Sequence, residues 1–245
     1  MSKKIKFIAV HDYAWDLADK PYPAKNSIPK WWKGMAPYIT ESSNPEGKNF
    51  FIRNMRNNLS PKKCMPMLDA ITGGYIVPLW CDIYITNLAE NKEVDYRPAI
   101  SWKATKEVFE DDIDGSHMLD IPDEYSKTVF KFINLWCVRT PPGYSVRISA
   151  PVGNNESPFK AFDAVVDTDK YDAALPIPML LKKGFEGLVP RGTPMIQVVP
   201  FKREAWKAEF DHYAYGVHDN KHENWLRFNS FGNYIKTQWS KKMYE

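Results

Sequence analysis

Two histidines four residues apart, in His218-Asp219-Asn220-Lys221-His222, are the sharpest chemical signal in the chain. On a helix that spacing puts both imidazoles on one face, where they can share a zinc ion while the residue after the first His serves as general base. Here that residue is Asp219, one methylene shorter than the usual Glu, and Gly216 with its polar neighbours argues against a helix. The segment reads as an exposed polar turn. An iron site of two His and one carboxylate begins with His-x-Asp or His-x-Glu on a strand, and none of His11, His117, His212, His218 and His222 has that spacing. The acidic run Asp111-Asp112-Ile113-Asp114-Gly115 looks like half of a calcium loop. With Gly115 in the sixth place, however, Glu110 falls first and Ile121 twelfth, where Asp and Glu are needed. Nucleophile elbows, phosphate-cradling Gly/Lys loops and dinucleotide fingerprints are missing from the sequence, so no catalytic residue, metal or cofactor is assigned.

The remaining chemistry is compositional. Polar residues sit within apolar strands and their turns: Trp80 with Asp82, Tyr144 with Arg147, Asp167 and Asp169 with Lys170, and Gln197 shortly before Arg203. Charges on strands are costly unless paired or exposed, so these residues form either a solvated face or a polar pocket. Arg offers a planar donor fork for carboxylate or phosphate, Gln reads amide or base edges, and Trp or Tyr gives a stacking face. A cup of Trp136, Tyr144, Arg147 and Gln197 would suit a small polar or anionic ligand, nucleotide-like in shape.

The elements that must position these residues are mostly strands. Lys4 to Val10 opens the chain as a strand and is followed by an irregular, Pro-punctuated segment in which Trp31 and Trp32 read as pins onto a core. Ser60-Pro61 through Thr72 to Gly73-Gly74 has the N-cap, first-turn proline and terminating glycines of a short helix, with Pro66 as a warning of a kink or late start. Tyr75 to Leu88 predicts one strand or a pair bent about Pro78, and Arg97 to Lys103 another strand. Val129 to Val138 is apolar on both faces, which predicts a central strand. Pro141-Pro142-Gly143 has type II turn composition and leads into Tyr144 to Ala150. Further strands are expected at Phe162 to Thr168, Leu175 to Leu181 and Met195 to Pro200. After Arg203, the spacing of Trp206, Phe210 and Tyr213 predicts an amphipathic helix. The fold class is therefore mainly β: an antiparallel β-sandwich or double-stranded β-helix of jelly-roll type, with a short helix near 61–72 and a helix after 203.

Length and composition fit a single domain over residues 1–245, its irregular segment 11–60 and its tail 203–245 packed on the β core. The chain has 44% hydrophobic residues, 14% aromatics and nineteen Pro against twelve Gly, a mixture suited to short strands and stiff turns. A net charge of +3, spread along the chain, lacks the basic footprint of a nucleic-acid binder. Cys64, Cys81 and Cys137 have neither zinc nor redox spacing and read as reduced thiols in a cytoplasm. No apolar run is long enough to span a bilayer, so neither nucleic acid nor membrane is expected as a partner.

Several segments resemble a family of uncharacterised function found in tailed phages of marine and cyanobacterial hosts and, more distantly, in bacteria. They are Cys64-Met65-Pro66-Met67-Leu68-Asp69-Ala70, Gly74-Tyr75-Ile76-Val77-Pro78-Leu79-Trp80, Arg139-Thr140-Pro141-Pro142-Gly143-Tyr144-Ser145, Val165-Val166-Asp167-Thr168-Asp169, and Gly192 to Arg203. The resemblance spans Lys20 to Lys207 and implies a phage origin and host-cytoplasmic location, with no site residue to transfer. The expected function is binding of a small ligand. The alternatives are an iron and 2-oxoglutarate oxygenase or a hydrolase on a double-stranded β-helix, and a virion structural or decoration protein using Trp31, Trp32 and Trp225 as contacts.

Overall fold

Strands dominate a computed structural model of the chain, which describes residues 3–38, 60–88, 93–98, 109–114, 120–210 and 233–245. In chain order they are β1 (Lys6–Ala9), β2 (Tyr22–Pro23), β3 (Tyr75–Pro78), β4 (Ile83–Leu88), β5 (Glu93–Pro98), β6 (Phe109–Asp114), β7 (Tyr125–Arg139), β8 (Tyr144–Ser149), β9 (Phe159–Ala161), β10 (Ala164–Val166), β11 (Ala174–Lys182), β12 (Gly187–Val189) and β13 (Pro194–Lys202). The helices are α1 (Asp12–Leu17), α2 (Lys30–Gly34), α3 (Met65–Thr72) and α4 (Asn233–Thr237). The chain is mainly β with antiparallel sheets, as expected, and it divides into two compact units: residues 1–27, 72–203 and 244–245, and residues 28–71 and 204–243.

The first unit holds all the strands among the described residues. One sheet runs β1-β7-β11-β9 with β6 also on β7, a second runs β10-β8-β13-β3-β2, and a small third runs β12-β4-β5. Every pairing is antiparallel. The two-faced apolar pattern of β7 has the expected consequence. β11 pairs along one of its edges from Tyr125 to Cys137, while β6 (at Thr128 to Phe132) and β1 (at Trp136 to Arg139) divide the other. From β7 to β11, successive strands alternate between the two large sheets. Inward residues of both sheets, including Phe132, Met179, Val146, Ile148 and Val198, meet in one core in the manner of a β-sandwich. Burying each such side chain is worth about 1.5–3 kcal/mol. A satellite cluster of Ile121, Val129 and Leu180, joined by Tyr125 and Phe162, covers the opposite face of β7 and β11.

Two local expectations hold, while of the strand expected over Arg97 to Lys103 only Arg97 and Pro98, in β5, fall within the described residues. Tyr75 to Leu88 is a bent pair, β3 and β4, broken after Pro78. Gly143 adopts φ +82° in the turn closed by Tyr144 N–H to Pro141 carbonyl, the left-handed position that a type II turn requires. The acidic run Phe109–Asp114 is not a loop but β6, and Gly115 lies outside the described residues.

In the second unit, the side chain of Ser60 accepts the Lys62 N–H at 3.2 Å and caps a 3-10 turn at Pro61–Lys63. α3 starts late, at Met65, which puts Pro66 in the first turn where its missing N–H costs nothing. Trp32 is buried and packs edge-on against the more exposed Trp31. The carboxylate of Asp69 accepts from Trp239 Nε1 at 2.8 Å and from Lys242 Nζ at 2.7 Å. The helix expected after Arg203 does not form over 203–210, where the chain is irregular. Trp206 and Phe210 are 88% and 98% exposed, so the periodic face has nothing to bury among the described residues, and packing of that face is what stabilises a short helix. Tyr213 lies outside the described residues.

Candidate functional site

The residues singled out from the sequence fall into separate places. Trp80 and Trp136 are core residues, 2% and 3% exposed. Their indole N–H groups donate to the carbonyls of Ile133 at 3.0 Å and Asp19 at 3.2 Å, which satisfies the one polar atom each ring buries. Asp82 accepts the Arg191 backbone N–H at 2.6 Å, while the Arg191 guanidinium forks onto Asp19 at 2.8 and 3.0 Å. Arg147 is exposed on β8 and pairs with Asp163 at 3.2 Å. Gln197 is 1% exposed, with Nε2 donating to the Gly73 carbonyl at 2.6 Å and Oε1 accepting the Val152 N–H at 2.9 Å. Trp136, Tyr144, Arg147 and Gln197 thus do not line one cup.

Tyr144, Asp167, Asp169 and Arg203 do come together. Arg203, at the end of β13, makes a two-pronged contact with Asp169, with Nη1 2.8 Å from Oδ1 and Nη2 on Oδ2. Its Nη1 also donates to Ser145 Oγ at 2.9 Å and to the Tyr144 carbonyl at 3.2 Å, and lies 3.1 Å from Asp167. Ser145 Oγ donates to Asp167 at 2.6 Å, and the Gly143 N–H donates to Asp169 at 2.8 Å. The Arg203 bonds and the Gly143 N–H hold the Asp169 carboxyl well below the usual carboxylate range, and the Ser145 bond lowers that of Asp167. Lys3 Nζ sits 4.2 Å over the Tyr144 ring. Arg203 is likewise driven toward its charged form by Asp169. Charges so fully partnered tie the β7–β8 turn to the β10–β11 loop, and they leave no donor fork to offer a ligand.

A different place is open. A cleft of about 400 Å³ is lined by Glu124, Tyr125, Ala150, Pro151, Asn154, Asn155, Ser157, Pro158, Phe159, Lys160 and Lys182, within the size range of small-molecule sites. It lies on the face of the first sheet away from the main core. On β9 the alternation sends Phe159 and Ala161 inward and Lys160 outward, and on β11 it sends Leu181 inward and Lys182 outward. The register sets Lys160 opposite Leu180, which makes Lys160 and Lys182 diagonal neighbours with Cβ atoms about 7–8 Å apart. Neither ammonium has an ion-pair partner among the described residues; Lys160 Nζ lies 5.5 Å from the Tyr125 ring centre.

The facing wall is the loop after β8. A turn closed by Asn154 N–H to Pro151 carbonyl is fixed from behind by the Gln197 bond to Val152. Within this wall two side-chain acceptors are engaged: Asn154 Oδ1 takes the Glu156 N–H at 3.2 Å, and Ser157 Oγ takes the Phe159 N–H at 3.1 Å. What remains among the lining side chains is the amide NH₂ of Asn154, the hydroxyl hydrogen of Ser157, the Asn155 amide, two ammonium groups and the carboxylate of Glu124. These residues carry no periodic signal in the sequence: Lys160 and Lys182 stand singly on strands, and Asn154, Asn155 and Ser157 lie in a loop. The one hint was the Pro151-Val152-Gly153-Asn154 turn between two strands.

His218 and His222 lie outside the described residues, as do His117, His212 and Trp225. Among the described residues no group of three or more His, Cys, Asp or Glu side chains is placed to hold a metal ion, and no helix is long and apolar enough to cross a membrane.

Fold and site together define a mainly β protein with antiparallel sheets and a donor-rich cleft on one sheet. Compared with known proteins, the chain matches no family model, no curated protein and no solved structure.

Proposed function

We propose that the protein binds a small anionic ligand in the cleft between β9, β11 and the loop after β8. The supporting observation is the pair Lys160 and Lys182, two ammonium groups without ion-pair partners among the described residues, beside a wall in which Asn154 Oδ1 and Ser157 Oγ each accept a backbone N–H. Such a surface complements an acceptor-rich group such as a phosphate or carboxylate. This keeps the ligand class read from the sequence and moves the site away from Arg147 and Gln197. A phage origin, read from the family segments, fits a small ligand-binding protein made in the host cytoplasm and is part of the same proposal.

Titration of the protein with a panel of phosphates and carboxylates, followed by calorimetry and by NMR of the lysine side chains, tests this reading. Binding that weakens at least about tenfold in Lys160→Ala and in Lys182→Ala, and that falls as salt is raised, is expected. Anion binding that both substitutions leave unchanged would place the ligand elsewhere.

A further inference from the structure

Resting on that anion-binding reading, we infer that the ligand is a polyol carrying one anionic group, a sugar phosphate or sugar acid, and not a nucleotide. The two lysines are diagonal neighbours in the lining and together match a single phosphate or carboxylate. Beside them stands Glu124, whose carboxylate has no hydrogen-bond partner among the described residues; only its backbone carbonyl is used, by the Lys183 N–H. A carboxylate accepts only, so beyond the one anion that the two lysines offset, Glu124 disfavours a second and calls for donors, which sugar hydroxyls supply. Asn154, Asn155 and Ser157 add groups that hydrogen-bond hydroxyl oxygens.

The aromatic side chains argue against a base. Nucleobases are held by stacking on an open aromatic face. Phe159 is 6% exposed and belongs to the main core. Tyr125 packs on the satellite cluster and carries the Lys160 ammonium over its ring. Neither ring offers a free face, while Ala150, Pro151 and Pro158 give a low apolar wall of the kind a sugar ring can lie against.

The test uses the full chain and isothermal titration with inorganic phosphate, glucose, glucose 6-phosphate, glucuronate and AMP. Glucose 6-phosphate or glucuronate is expected to bind at least about tenfold more tightly than inorganic phosphate, glucose or AMP; which of the two is tighter decides between phosphate and carboxylate. In Asn155→Ala, an exposed position, the affinity for the preferred sugar anion is expected to fall and its margin over inorganic phosphate to narrow. Inorganic phosphate or AMP binding as tightly as both sugar anions, in a lysine-dependent way, overturns the polyol inference and leaves the anion site standing. No binding of any of these anions to protein whose near-ultraviolet circular dichroism shows it folded overturns both.

Discussion

Gln197 holds Val152 in place: its Oε1 accepts the Val152 backbone N–H at 2.9 Å from a side chain that is 1% exposed. The same amide donates to the Gly73 carbonyl, so one side chain serves both the segment entering β3 and the wall of the cleft. A buried amide replaced by an apolar group leaves a donor and an acceptor unmade, at about 1–3 kcal/mol for each group that water cannot reach. Gln197→Leu is therefore expected to lower the urea midpoint with little change in slope, and to weaken ligand binding while Lys160 and Lys182 remain. An unchanged midpoint would show that the staple contributes nothing.

Gly74 and Gly143 both have positive φ, +71° and +82°, but in different surroundings. A Cβ on Gly74 would lie 2.1 Å from the Val198 carbonyl oxygen, a backbone atom of β13 that cannot step aside, whereas at Gly143 it would meet nothing within 4 Å. Gly143→Ala is expected to cost only the left-handed strain of about 1–2 kcal/mol. Gly74→Ala should cost clearly more and part the β3–β13 pairing. Thermal unfolding of the two variants side by side checks the ranking.

Acid should act through the carboxylates around Arg203. Their folded-state pKa values lie below the ordinary range, through Arg203 and the Gly143 N–H at Asp169 and through Ser145 at Asp167. Their contribution is thus complete above the unfolded value of about 3.9 and is lost as pH falls below it through the folded values. Wild type is expected to lose stability steeply below about pH 4. Asp169→Asn should be less stable at neutral pH and show a shallower acid slope. Urea midpoints across that range measure it, and equal slopes would exclude the mechanism.

Cys81 is 1% exposed, and burial together with the charge of Asp82 pushes its thiol up to about 12. At pH 8 only about one such thiol in ten thousand is ionised, and the thiolate is the reactive form. Burial also raises Cys137. A disulfide reagent should therefore leave both unlabelled in the native protein at mild alkaline pH and reach all three cysteines in guanidinium. Rapid native labelling of Cys81 would contradict its buried placement.

The sequence is most legible where one strand's pattern decides its own environment. Val129 to Val138 is apolar on both faces because neighbouring strands flank it in the sheet and clusters cover it on both sides. Ser60, Pro61 and Gly143 act within their own turns, so their roles could be read locally. The candidate site is legible only in part. Asp167, Asp169 and Arg203 do meet, yet they saturate one another, and the polar atoms of Trp136 and Gln197 are spent on backbone groups. Residue type could not distinguish a polar group that serves the fold from one held ready for a ligand, because the distinction lies in partners distant in sequence. Lys160 and Lys182 become neighbours only through the β9–β11 register. Trp206 and Phe210 fail for the opposite reason: their spacing suits a helix, but an amphipathic face needs a surface to lie on.

Gly73 and Gln197 are 124 residues apart in the chain, and β3 waits for β13 as its partner in the second sheet. At about 5–20 residues per second, a ribosome takes on the order of ten seconds to deliver that partner after β3 has emerged. Until then β3 has only the two-residue β2 beside it, so its apolar residues Ile76 and Val77 face the crowded cell. The order of synthesis thus leaves one edge of β3 without its partner until β13 emerges, and the second sheet closes late.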